Sequence, residues 1–309
     1  MNRNNIAHLV MAHTDIQHIT RLVRRLSVFS DVFLHFDKNS DDKELLDNLK
    51  DLIGHGVYYL QPRLHCAWGG YNAIQCEIEL LRLALNTGNY KRFIFLQGAD
   101  YPIKSDAEIV EFFNRNSATE FIRGCAISDS KDKQLYNKSR YFLFINYSNF
   151  FTRIVNKLTR TFDIKLRDGR IHCDAEDYTV YWGSAQWAFT DECAKYIVSW
   201  FDEHPKFNRW FFYSLTCDET YFVTVVMNSY FASSTLYGRT EDESNKLNKW
   251  RNLTYFDYSH DPQKRGCKVF TESDIDELLS ASELYVRKVN TELSTELLDK
   301  LDKQNGMMS

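Results

Sequence analysis

Between positions 6 and 96 the chain alternates short apolar runs of strand length with segments whose apolar residues recur at helical spacing, and this alternation restricts the fold more than any other feature. An apolar run at 6–12 precedes Ile16, Ile19, Leu22, Val23 and Leu26, which share one helical face behind Thr14 or Asp15 as a cap. A second strand is predicted over 32–36, helical spacing returns over 41–52, and a third strand falls at 57–60. Ile74, Ile78, Leu81 and Leu85 mark a long helix before a strand at 93–96. Strand, helix, strand, helix is the α/β pattern. In such sheets ligands collect beyond the carboxyl ends of the strands, which here read Ala12-His13, Asp37-Lys38 and Gly98-Ala99-Asp100-Tyr101-Pro102. All are polar or turn-forming, so this edge is the expected site.

The pattern weakens after Glu120 and resumes with a strand at 178–182, the run Gly183-Ser184-Ala185-Gln186-Trp187, and a helix from Asp191 to about Phe201. No Gly/Ser/Pro-rich linker interrupts the chain, so a single domain is expected over 1–295, followed by a charged C-terminal helix or tail, 296–309, carrying Leu297, Leu298 and Leu301. A net charge of −4 gives no general attraction to nucleic acid. Locally, Arg153, Lys157, Arg160, Lys165, Arg167 and Arg170 outnumber Asp163 and Asp168; the stretch 151–170 is read either as a solvated face or as a border to a phosphate-bearing or membrane-linked substrate. The seven cysteines form no C-x-x-C pair and read as reduced thiols of a cytoplasmic protein. Neither a signal peptide nor a membrane span is found.

Asp218 and Glu219 stand together at the mouth of the apolar run that continues through Tyr221 and Phe222 to Val226. A carboxylate there is suited to general-base work, yet Thr216 and Glu219 also have the spacing of a capping box, and both readings stand. Gly69-Gly70 and Gly98 match neither a P-loop nor the dinucleotide fingerprint, and the nine histidines show no catalytic zinc spacing. Asp274 and Asp276 make a literal D-x-D, but Ser273 as N-cap with acids in the first helical turn accounts for it.

Taken in order, several motifs resemble the core-2/I-branching β-1,6-N-acetylglucosaminyltransferases and the related peptide xylosyltransferases. They are Leu9-Val10-Met11-Ala12-His13, His35-Phe36-Asp37-Lys38-Asn39-Ser40, Trp68 at the start of a helix, the run 96–104 around Gly98 and Asp100, Gly183-Ser184-Ala185, Cys217-Asp218-Glu219, Arg265 before Val269-Phe270, and Tyr285-Val286-Arg287-Lys288-Val289. The resemblance implies a GT-A-like nucleotide-sugar-binding fold with a mixed central sheet flanked by helices, a UDP-sugar donor (most often UDP-GlcNAc), and inverting transfer to a hydroxyl of a saccharide or glycolipid acceptor. It implies Glu219 as general base, and His13, Asp37, Trp68, Asp100, Arg265 and Lys288 on the donor side. Arg265 and Lys288 would stand in for a divalent metal, so no metal or other cofactor is expected. Gly183, Ser184, Trp250 and Tyr255 are the expected acceptor contacts. Cys217 replaces the family's proline before Asp-Glu. The absence of an anchor and of a disulfide frame makes a bacterial-type cytoplasmic member the expectation, with peripheral membrane contact through 151–170.

Overall fold

A computed structural model describes residues 5–127, 139–146, 149–214, 216–235, 251–259 and 266–304. The first half alternates as the sequence predicts: β1 (Ile6–Ala12), α1 (Ile16–Leu26), β2 (Asp31–Phe36), α2 (Lys43–Leu49), β3 (Val57–Tyr59), α3 (Tyr71–Thr87) and β4 (Arg92–Gln97). Then follow β5 (Asp100–Pro102), α4 (Asp106–Arg115), β6 (Gly124–Ala126), α5 (Phe150–Thr161), β7 (Arg170–Cys173), β8 (Glu176–Thr179), β9 (Tyr181–Gly183) and β10 (Ala188–Thr190). The remainder comprises α6 (Asp191–Glu203), α7 (Pro205–Phe212), α8 (Tyr221–Met227), β11 (Thr254–Phe256), α9 (Ile275–Ser280), β12 (Tyr285–Arg287) and α10 (Thr291–Gln304). The strand expected over 178–182 is broken: β8 pairs with β7, whereas β9 pairs with β6.

The main sheet has the order β10-β4-β1-β2-β3, with β1 to β4 parallel and β10 antiparallel at one edge. The fold is thus the mixed, helix-flanked α/β sheet expected of a GT-A-like arrangement. Both faces are buried, which explains why the strands read as nearly continuous apolar runs. Ala7, Leu9, Phe33, Phe93 and Phe95 pack towards α3 and α6, while Ile6, Val10, Val32, Leu34, Ile94 and Leu96 pack towards α1, α4 and α10. Because β2 lies on one side of β1 and β4 on the other, the strand order reverses at the carboxyl end of β1, where a ligand crevice is expected in such a sheet. A smaller sheet has the order β11-β12-β5.

The C-terminal helix begins at Thr291, earlier than the expected 296, and docks through Leu297, Leu298 and Leu301, all buried. Asp15 ties its start to α1: the carboxylate accepts from the backbone N–H of Thr291 at 2.8 Å and from its hydroxyl at 2.5 Å. No helix among the described residues is long and apolar enough to cross a membrane.

Candidate functional site

At the crevice, β2 hands over to a loop in which the Asp37 backbone N–H bonds to Ala12 O at 2.9 Å. The Asp37 carboxylate is buried and accepts from the backbone N–H groups of Asn39 (2.8 Å) and Cys66 (2.6 Å), with the His65 ring at 3.2 Å. Burial opposes its ionisation, but these donors outweigh it and hold the carboxyl below the ordinary aspartate range. An ionised acceptor is therefore fixed where β1 and β2 end. His13 is exposed beside it, and its carbonyl accepts from Ser40 Oγ at 2.6 Å. Trp68 does not begin a helix: α3 starts at Tyr71 behind Gly70, and Trp68 stands in the preceding loop, 82% exposed.

Opposite this loop, the antiparallel register of β12 and β5 sets Arg287 across from Asp100. Arg287 Nη1 donates to Asp100 Oδ1 at 2.5 Å, Nη2 donates to Gln97 Oε1, and the Gln97 backbone N–H donates to Asp100 Oδ2 at 2.8 Å. Asp100 is completely buried, so the expected direct donor contact is corrected: its carboxylate is spent on positioning Arg287. Burial raises its pKa against the pull of Arg287 and of Lys288, whose charge reaches the same point. Lys288 is half-buried, and its backbone is pinned by bonds to Lys268 O (3.0 Å) and from Phe270 N (2.9 Å). Asp218 lies in this network too; burial raises its pKa, while backbone N–H groups, Arg287 and Gln97 oppose the rise.

Glu219 sits in the turn before α8, not inside a helix. That helix begins at Tyr221 with Thr220 as N-cap, so Thr216 is four positions too early for the capping box that its spacing suggested. The turn is built tightly: Thr216 has φ 57°, Glu219 N bonds to Thr216 O at 3.1 Å, and Cys217 N reaches Gly69 O at 3.2 Å. Cys217, in the family's proline position, is buried and its thiol donates to Phe211 O at 3.2 Å. Glu219 is held from the β9 side, where its carbonyl accepts from Gly183 N at 2.9 Å and Oε2 accepts from Trp182 Nε1 at 2.8 Å. The indole donor fixes the direction of this half-buried carboxylate.

Gly183 contributes by having no side chain. A Cβ there would lie 1.7 Å from Arg123 O, so only glycine lets β9 approach β6 closely enough to support Glu219. Ser184 Oγ donates to Gln186 Oε1 at 2.9 Å. Tyr255 requires a correction, because it pairs in register with Val286 while its neighbour Phe256 pairs with Arg287. Its side chain therefore leaves on the sheet face opposite Arg287, meets the Phe270 ring and donates to Glu277. The Tyr258 phenol is pushed up to about 12, by burial first and then by the Cys267 thiol, Glu219 and Asp218, against the pull of Arg287. Arg265 and Trp250 lie outside the described residues.

Sequence reading did not assign three of these groups. Arg287 was quoted only as part of a motif, although a lone Asp100 in an apolar strand already demanded a cation. Tyr258 carried no distinguishing signal. Glu77 sits in an apolar helical run, is completely buried, accepts from Trp187 Nε1 at 2.9 Å, and has no partner for Oε1 among the described residues. Burial, then the nearby Asp218, pushes its pKa well up.

In the Asp274–Asp276 pair, Asp274 ion-pairs with Lys268 at 2.8 Å and caps the backbone N–H of Thr271 at 2.9 Å. Thr271 caps a short 3-10 turn at Glu272–Asp274 and Asp274 is the N-cap of α9, so the expected Ser273 caps neither. Among the described residues, His35, Cys66 and Cys76 place three ligand-type atoms within 4.8 Å of one another. This imidazole and thiol set is soft, unlike the oxygen ligands that Mg²⁺ or Mn²⁺ needs beside a diphosphate.

The chain is 22% identical to the rat protein named "Xylosyltransferase 2" and 23% identical to its human counterpart, covering 96% of this chain in both cases. It spans about a third of the length of those curated relatives, 33% of each. Among solved structures, that of mouse xyloside xylosyltransferase 1 aligns at 12% identity with a TM-score of 0.29, covering 72% of this chain and 81% of the other. The family model described as "Core-2/I-Branching enzyme" matches residues 6–279, a span that runs from β1 through the Glu219 turn to α9. A match over that much of the chain shows that it belongs to the Core-2/I-Branching enzyme family.

Proposed function

We propose that the chain is a metal-independent, inverting glycosyltransferase that moves GlcNAc from UDP-GlcNAc to a hydroxyl of a saccharide or glycolipid acceptor, with Glu219 as general base. The observation that carries this reading is the Glu219 carboxylate, held by the Trp182 indole outside its helix and sharing its surroundings with Tyr258 and Arg287. A sugar hydroxyl is a poor nucleophile, and a positioned base that takes its proton contributes typically about 10²- to 10⁴-fold. As the acceptor oxygen bonds to the anomeric carbon, the bond from that carbon to the diphosphate oxygen breaks. Negative charge then gathers on UDP, where fixed cations are most effective. Arg287 is held ready by Asp100 and Gln97, Lys288 follows it in the chain, and Arg265 is assigned the same role by its motif alone. Base and leaving group on opposite faces of the sugar give inversion.

Asp37 would accept a hydrogen bond from the uracil ring, with His13 and Trp68 lining the donor side, and Ser184 and Tyr258 facing the acceptor. A second reading keeps the site and changes the donor to UDP-xylose, because the curated relatives named above are xylosyltransferases. We assign the chain to a reducing, cytoplasmic compartment, since all seven cysteines are described and none is in a disulfide.

A panel of UDP-GlcNAc, UDP-xylose, UDP-glucose and UDP-galactose, run with saccharide acceptors and with or without EDTA, tests the reading. The expected result is turnover of one donor that EDTA leaves within about twofold, because cations of the chain do the neutralising. Turnover of UDP-xylose alone selects the second reading. Binding of UDP without turnover of any donor makes the protein a carbohydrate- or nucleotide-binding one, and loss of activity on chelation rejects metal independence.

A further inference from the structure

The α5 helix is amphipathic in the wrong sense for a helix that covers a core. Phe150, Ile154, Leu158 and Phe162 recur every four residues along one stripe, with Phe151 beside them, and they are 82%, 40%, 46%, 69% and 72% exposed in that order. The side that meets the body of the protein is instead the small and polar stripe of Thr152, Asn156 and Thr159. Asn156 docks it by a paired contact, accepting from Phe144 N and donating to Phe144 O, both at 2.8 Å. Exposed Arg153, Lys157 and Arg160 form a third stripe flanking the apolar one. The chain continues outward through Leu166, which is 69% exposed.

We propose that this face docks the protein onto an anionic lipid surface, with the apolar stripe in the acyl–headgroup boundary and the basic stripe against lipid phosphates. A helix lying in the membrane plane needs that pairing of an apolar face with flanking cations. The whole chain carries a net charge of −4, so attraction to anionic lipid has to be local, and here it is. A second copy fits less well. In a two-fold contact each basic stripe would meet its own image or an apolar surface, and like charges across an interface are costly.

The docking face is tied to the crevice by a short chain of contacts. Phe144 leads to Asn146, which accepts from Asn72 N at 3.2 Å at the start of α3, and Gly69 just before it accepts from Cys217 N at 3.2 Å in the Glu219 turn. Docking would therefore bring the site close to acceptors carried on the same membrane, but the docking itself is read without any turnover.

Co-sedimentation of the full chain with vesicles tests the proposal, using phosphatidylcholine alone and phosphatidylcholine with phosphatidylglycerol. The expected result is binding to the anionic vesicles that weakens as salt is raised. Phe150→Ser/Ile154→Ser/Leu158→Ser, and separately Lys157→Glu/Arg160→Glu, should each lower the bound fraction by about tenfold or more while thermal melting is unchanged. Should the serine variant melt early, the charge variant alone decides. Three outcomes overturn the proposal: no binding of the unaltered chain to anionic vesicles, binding that both variants retain, or a dimer in light scattering that these same substitutions dissociate while vesicles capture nothing.

Discussion

Arg287 shows how one side chain can hold a site together. It satisfies the wholly buried Asp100, carries Gln97, and lowers the cost of burying Asp218. Removing one partner of a buried pair leaves an uncompensated charge, so Arg287→Met is expected to cost about 3–5 kcal/mol in urea unfolding, and Asp100→Asn in the same background should recover part of that loss. Glu77 makes a complementary prediction. As an acid whose folded pKa is raised, it binds a proton more tightly folded than unfolded, so its contribution to stability falls as pH rises from the ordinary glutamate value of 4.5 towards its elevated folded value. Glu77→Gln keeps an acceptor for the Trp187 indole and removes the charge. It should flatten that decline and melt no lower than the parent at neutral pH, and an unchanged or steeper decline would contradict the raised folded pKa. At this scale the sequence exposed residue types but not their company. The motifs around Asp37 and Glu219 have order and spacing, whereas nothing in the sequence shows that strand register turns Tyr255 away from Arg287.

Elements were legible wherever burial imposes a period. The strands and helices of the first half follow from apolar runs and 3.6-residue spacing, because both faces of the sheet are covered. The misreadings have one cause, which is that local pattern is blind to distant partners. The strand expected over 178–182 splits because β9 is drawn to β6 by the glycine contact, and the capping box dissolves because Trp182 claims the Glu219 carboxylate. The charged terminus stood open between helix and tail because its three leucines are few; they reach the main core and are joined there by the Arg21–Asp302 and Tyr101–Asp302 bonds. Leu301 is completely buried, so Leu301→Ala is expected to destabilise by about 2–5 kcal/mol in urea unfolding, where a frayed helix would show a change near zero.

At the scale of the whole molecule, the sheet's reversal at β1 marks the expected crevice, one loop fixes an ionised Asp37 there, and the smaller sheet brings Arg287 and Lys288 towards the turn that carries Glu219. The proposed donor side and base thus come from segments far apart in sequence, which is why ordered motifs identified the family while spacing alone left Glu219 between two roles. The account rests on that carboxylate removing the acceptor's proton. Glu219→Gln keeps the volume and an oxygen for the Trp182 indole but removes the basicity. Its kcat for UDP-sugar turnover with acceptor, set beside that of the unaltered chain, is the measurement that bears on this most directly. The predicted result is a fall of about 10²- to 10⁴-fold with the donor KM little changed, and turnover within a few fold of the unaltered chain would show that the base lies elsewhere.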